Sequence, residues 1–305
     1  HTGEDMNIIR YGGPMSRTRR AGSPIGYSGG AQPAPPIEAF ISVWATTGVD
    51  ETITIPTQNI GTFNAVVDWG DSSPLETITT YNGFSHQYDA IGEHTISITG
   101  TFPNIYLNNG TEKLKIKRVT NLGTVGWTNL SNAFYGCTNL TEFTAGSTDT
   151  SAVTNMRVMF YGCSGLTSLD VSNFDTSSVV NMALMFYGCS ALTSLDVSSF
   201  VTTSVTTMGQ MLQFCNTLTS LVGVEDWDIT ALNSTGSLTS FLTNGKMTTP
   251  QYDNLLINWE SQASVIPAMT AAFGASEYTG GGAAATAHTS LTDVYGWSIG
   301  DGGIA

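Results

Sequence analysis

Four cysteines are the first candidates for chemistry: Cys137, Cys163, Cys189 and Cys215 each lie 26 residues from the next. Zinc is held by close pairs such as Cys-x-x-Cys, whose two thiolates reach one ion from a single turn. A 26-residue interval instead puts each thiol on a separate structural unit, so the spacing predicts a ladder of buried, reduced cysteines. Neighbouring rungs bring Cα atoms within disulfide reach, but parallel side-chain vectors fit the disulfide dihedral poorly. Free thiols are therefore expected.

Carboxylates and histidines offer three further arrangements. Asp68 and Asp71, with Asp89, have the ligand type for a calcium ion bound by turn oxygens; the competing reading is a structural turn that needs only Gly70 and one Asp side chain. His86 and His94 lie in the same stretch without a serine or cysteine nucleophile motif, and read as structural histidines. Asp170 and Asp196 stand 26 residues apart on one predicted face, where two carboxylates can meet as they do in glycosidases. Thr144 and Val222 occupy the flanking rungs, leaving neither a cleft nor an aromatic platform for a sugar. The sequence therefore predicts no enzyme, no catalytic or metal-binding residue and no cofactor. The exposed positions Thr167, Ser168, Asp170, Thr193, Ser194 and Asp196 form instead a candidate binding face for a protein or a glycan.

The element that must position this face is a repeat. Phe134, Phe160, Phe186 and Leu212 precede the cysteines by three residues, and Leu140, Leu166, Leu192 and Leu218 follow them by three. Leu166-x-x-Leu169-x-Val171 has the spacing of a leucine-rich-repeat strand, with its polar residues turned to solvent. Val179, Met182 and Met185 lie three apart, which predicts one face of a short helix with Thr176 or Ser177 as N-cap. Each unit is thus expected to be strand, loop, short helix and turn. Units stacked about 4.8 Å apart would pair their strands into a parallel sheet.

Before the repeat, residues 39–102 alternate apolar and polar positions in short runs such as Thr52-Ile-Thr-Ile55 and Ala65-Val-Val-Asp-Trp69, which predicts a small antiparallel β-sandwich. Val67-Asp-Trp-Gly-Asp71, with His86-Gln-Tyr88 and Gly92-Glu-His-Thr-Ile96, resembles the PKD-like sandwich of secreted and surface proteins, in which the Trp fills the core and Gly-Asp makes the turn. The repeat, Asn-Met-x-x-Met-Phe-x-x-Cys-x-x-Leu-x-x-Leu-Asp-Val in residues 181–197, resembles the BspA-type surface repeat of bacteria. Tyr252-Asp-Asn-Leu-Leu-Ile-Asn-Trp259 and Tyr295-Gly-Trp-Ser-Ile-Gly-Asp-Gly-Gly303 resemble the closing segment of such proteins. The resemblance implies a surface or virion protein used for attachment, in bacteria or their phages.

Residues 1–38 carry Gly, Pro and Ser without apolar periodicity, so this arm has no face to bury on itself. It holds Arg10, Arg17, Arg19 and Arg20, four of the chain's ten basic residues. Contact with acidic protein surfaces of neighbouring subunits is the favoured role, with nucleic acid inside a particle as the alternative. The net charge of −14 argues against general binding to nucleic acid or anionic membranes, both of which need clustered Lys and Arg. No run reaches the roughly 18 apolar residues of a membrane span.

The expected architecture is α+β: a 1–38 anchoring arm, a 39–102 PKD-like sandwich, a 103–245 leucine-rich-repeat-like solenoid of 26-residue units and a 246–305 cap. The expected function is non-catalytic attachment at an extracellular surface or on a virion. The favoured version is a phage particle component docked to other protein subunits through residues 1–38; the alternative is a bacterial adhesin binding a host protein or glycan.

Overall fold

The structure is a computed structural model and describes residues 38–305. The anchoring role assigned to Arg10, Arg17, Arg19 and Arg20 lies outside these residues. Nine strands come first along the chain: β1 (Phe40–Thr46), β2 (Glu51–Ile55), β3 (Asn64–Asp68), β4 (Glu76–Ile78), β5 (Phe84–Tyr88), β6 (Gly92–Thr101), β7 (Ile116–Asn121), β8 (Glu142–Thr144) and β9 (Ser168–Asp170). Seven of them form one mixed sheet in the order β4-β3-β6-β1-β7-β8-β9, while β2 and β5 pair separately. The large sheet is antiparallel from β4 to β7 and parallel from β7 to β9.

The alternation seen in the sequence builds the antiparallel part. In β3, Ala65 and Val67 are fully buried while Asn64 and Asp68 are exposed. Ile53 and Ile55 of β2 and Ile96 and Ile98 of β6 are likewise fully buried. Trp44 is also fully buried, and its indole N–H donates to Ser42 at 2.8 Å, which satisfies a polar atom that burial would otherwise strand.

From Leu107 to Gly245 the chain stacks on itself, and its backbone hydrogen bonds follow two alternating rules. Met182, Leu184, Phe186 and Gly188 donate their amides to Thr207, Gly209, Met211 and Gln213 of the next unit at 2.8–3.0 Å. The intervening amides of Met185, Tyr187 and Cys189 close turns onto Met182, Leu184 and Phe186, each three residues back. This alternation requires left-handed backbone at Leu184 (φ 61°) and Gly188 (φ 71°), repeated at Val158 and Gly162. A left-handed Val or Leu costs about 1–2 kcal/mol, which the bonds to the next unit offset.

The leucine-rich-repeat solenoid expected over 103–245, flanked by a separate sandwich and cap, is therefore not what the chain forms. No α-helix occurs in the repeats: among the described residues the α-helices are α1 (Thr249–Glu260) and α2 (Ala283–Thr289). Val179, Met182 and Met185 lie three apart because consecutive turns advance by three, a spacing shared with a helix face. The strands do not make a continuous parallel sheet either. Strands β7, β8 and β9 extend the N-terminal sheet, whereas β10 (Ser194–Asp196) and β11 (Ser220–Val222) form a separate pair. Thr176, expected as an N-cap, is instead fully buried, its hydroxyl donating to Val201 O at 2.9 Å and accepting from Val201 N at 2.7 Å. Thr150 makes the same pair of bonds to Asp175.

Helix α1 closes the last unit. Thr248 and Gln251 form a capping box with a proline in the first turn, which fixes where the helix starts. Gln251 then donates its side-chain amide to Leu221 O at 2.8 Å, Asn258 donates to Glu225 O at 3.2 Å and Gln262, just beyond the helix, donates to Trp227 O at 3.1 Å. These amides occupy carbonyls that a further unit would otherwise bind. Strands β12 (Thr270–Ala272) and β14 (Ser298–Gly300) pair with each other, as do β13 (Glu277–Tyr278) and β15 (Gly303–Ile304). One apolar core runs from Phe40 to Trp297.

The stack has one weak seam. Thr167 N and Ser168 N donate to Thr141 O, and Thr219 N and Ser220 N donate to Thr193 O. Among the described residues no equivalent bonds join β9 to β10, and Leu169 there is only partly buried. Native-state hydrogen exchange resolved by residue should therefore find the Thr193 and Ser194 amides exchanging faster than those of Thr167, Ser168, Thr219 and Ser220. Equal protection at the three positions would rule out the seam.

Candidate functional site

The six positions of the candidate face, Thr167, Ser168, Asp170, Thr193, Ser194 and Asp196, are all exposed. They lie on β9 and β10 or immediately before them, on the two sides of the seam. Each aspartate is engaged within its own turn: Asp170 Oδ1 accepts from Ser172 N at 3.0 Å and Ser172 Oγ at 2.7 Å, and Asp196 Oδ1 accepts from Ser198 N and Oγ at 3.0 and 2.6 Å. The Ser198 hydroxyl, then its backbone amide, hold the Asp196 carboxyl below the ordinary carboxylate range. A glycosidase acid needs the opposite, a raised pKa in a low-dielectric pocket. Two exposed carboxylates fixed by serines offer static acceptors, suited to recognition.

Two of the three aspartates considered for calcium, Asp68 and Asp71, are similarly occupied. Asp68 Oδ1 accepts from Gly70 N at 2.9 Å, and Asp71 Oδ1 accepts from Ser73 N at 3.0 Å. Asp71 Oδ2 lies 2.6 Å from His86 Nε2. Burial works to raise the Asp71 carboxyl, but hydrogen bonds from Ser73 and His86 outweigh it and hold it at about 2. No cluster of three or more metal-capable His, Cys, Asp or Glu side chains occurs among the described residues. His86 stacks on Trp69 and His94 stacks on Tyr88, so both imidazoles are packed against aromatic rings of the N-terminal strands. Burial holds the His94 pKa down.

All four cysteines are free and buried. Cys163, Cys189 and Cys215 donate their thiols to Phe134 O, Phe160 O and Phe186 O of the preceding unit at 3.1–3.2 Å. The sequence identified the ladder but not this bond. Burial pushes each thiol up, Cys215 to about 12, so thiolate chemistry is suppressed.

A surface row escaped the sequence reading. Tyr135, Tyr161 and Tyr187 recur every 26 residues, half-buried, and Phe214 continues the row from the position that Gly188 occupies one unit earlier, with φ 63°. Tyr161 and Tyr187 stack at 4.4 Å and 6°, while Tyr135 and Phe214 meet them edge to face. Burial first, then Tyr187, raises the Tyr161 hydroxyl. The 26-residue recurrence of Tyr was the available signal. The rings pack on one another and so seal the flank of the stack.

Residues 128–251 match the family model described as "Mycoplasma protein of unknown function, DUF285", a family associated with BspA-like surface repeat proteins. The match covers less than half of the 305-residue chain. It takes in the stacked units from residue 128 onward and the start of α1, and leaves out β1–β7 and β12–β15. No curated protein and no solved structure matches the chain. Among the described residues no helix is long and apolar enough to cross a membrane.

Two outcomes test this geometry. Iodoacetamide at mildly alkaline pH should label none of the four cysteines in the native protein and all of them in denaturant; labelling of native Cys163 or Cys189 would contradict the ladder. Acid should weaken the N-terminal strands. The Thr47 and Gly48 backbone amides pull Glu51 from 4.5 to about 2. A carboxyl depressed in the folded state adds stability above its unfolded pKa and loses it as pH falls through the folded one. The thermal unfolding midpoint should therefore fall as pH drops from 4.5 to about 2, and Glu51→Gln should flatten that limb while lowering stability at neutral pH.

Proposed function

We propose that this chain is a non-catalytic attachment protein displayed at a cell or particle surface, whose face at Thr167, Ser168, Asp170, Thr193, Ser194 and Asp196 binds a protein or glycan receptor. The observation that carries this reading is that the same Thr-Ser-x-Asp set is presented, exposed, by two consecutive units, with each aspartate held by the serine two residues on. The two carboxylates, already held by Ser172 and Ser198, lose little entropy when a partner binds. A particle component would anchor through residues 1–38. A bacterial cell-surface adhesin is the second reading, favoured by the association of the matched family with surface repeat proteins.

The test uses fluorescently labelled chain titrated onto intact bacterial and epithelial cells. Saturable binding is expected, weakened by about tenfold or more when Thr167→Lys and Thr193→Lys place two bulky charges on the face. Absence of saturable binding, or binding indifferent to the double substitution, overturns the reading.

A further inference from the structure

A cavity of ≈ 340 Å³ opens at the end of the stack opposite α1, lined by Thr54, Pro56, Tyr106, Asn108, Thr111 and Glu112. Its origin is topological. The segment 107–109 bonds forward to the next unit, through Leu107 N to Ala133 O, Asn108 N to Asn132 O and Asn109 N to Tyr135 O. Towards the N-terminal strands the bonds flank the cavity: Tyr106 N donates to Pro56 O at 2.9 Å on one side, and Thr54 N donates to Glu112 Oε2 at 3.2 Å and Lys115 Nζ to Thr52 O at 2.6 Å on the other. The cavity opens between them.

The lining is prearranged for a ligand. Asn108 and Asn109 are consecutive left-handed residues (φ 42° and 58°), a conformation that Asn tolerates better than other side chains, and the forward bonds hold them there. Glu112 is fixed by Thr54 N and by an ion pair with Lys115 at 3.1 Å. Tyr106 has no aromatic neighbour among the described residues, unlike the ringed row from Tyr135 to Phe214, and with Pro56 it makes a half-buried apolar wall.

Charge and polarity narrow the occupant. An anion would meet a carboxylate, and a divalent cation would find a single carboxylate already paired with a lysine. An apolar ligand would cover the side-chain hydroxyls of Thr54 and Thr111 and the Asn108 amide without giving them partners. What remains is a neutral ligand with one C–H-rich face for Tyr106 and Pro56 and several hydroxyls for the rim, at the small end of the size range of ligand pockets. We propose that this cavity is a binding site for a neutral saccharide residue, separate from the β9–β10 face and independent of its role.

Saturation-transfer NMR on the full chain, with glucose, galactose, mannose, N-acetylglucosamine and N-acetylgalactosamine as the probes, tests it. Transfer to at least one sugar is expected. Asn108→Gly keeps the left-handed backbone while removing the amide, and should weaken that binding about threefold to tenfold; Tyr106→Ala should weaken it at least as much. The Thr167→Lys/Thr193→Lys variant should leave it unchanged, which separates this site from the receptor face. No transfer to any of the five sugars, or transfer unchanged in a natively folded Asn108→Gly variant, overturns the proposal.

Discussion

The structure depends on how the backbone amides of each 26-residue unit are divided. Over residues 182–189 and their equivalents alternate amides close turns within their own unit and the others reach the carbonyls of the next, whereas strand amides such as those of Thr167 and Thr219 reach back to the preceding unit. A helix would use all of them internally and leave neighbouring units joined by side chains alone. Left-handed residues make the division possible, because they rotate alternate peptide groups towards the adjoining unit. Val158 and Leu184 hold an unfavourable conformation as a result, and the ladder is what stabilises it.

Side chains at repeating positions extend the ladder into the core. The buried hydroxyls of Thr150 and Thr176 bond both the amide and the carbonyl of one residue in the next unit, and the thiols of Cys163, Cys189 and Cys215 bond a phenylalanine carbonyl in the preceding one. Phe134, Phe160 and Phe186 stack between them at 5.6 and 5.8 Å. Polar groups thus satisfy one another inside an apolar core. The same repetition brings Asp170 and Asp196 onto consecutive units, and it is between their strands that the pairing is missing. The ladder elsewhere carries that interruption.

A repeating stack exposes unpaired backbone at both ends, and the two ends are treated differently. At one, Gln251, Asn258 and Gln262 present amides from α1 and the residues just after it, so the last carbonyls are occupied by side chains. At the other, β7 leads the backbone pairing directly into the antiparallel sheet. Where that continuity lapses, around Tyr106 and Thr54, the cavity opens.

The 26-residue period, the identity of the stacked columns and the division between apolar and polar faces were legible in the sequence, because side-chain spacing records which residues align. The antiparallel strands at 40–101 were legible for the same reason, their alternation having a period of two. The choice of turns over helices was not, since Val179, Met182 and Met185 have the same three-residue spacing in either conformation. Nor did the sequence reveal that β7 to β9 extend the N-terminal sheet, that β9 and β10 part, or that Thr176 bridges two units instead of capping a helix. Each of these is decided by hydrogen bonds between residues about 25 or more positions apart. Local spacing identifies the residues that recur, and only contact between units determines which partner each amide takes.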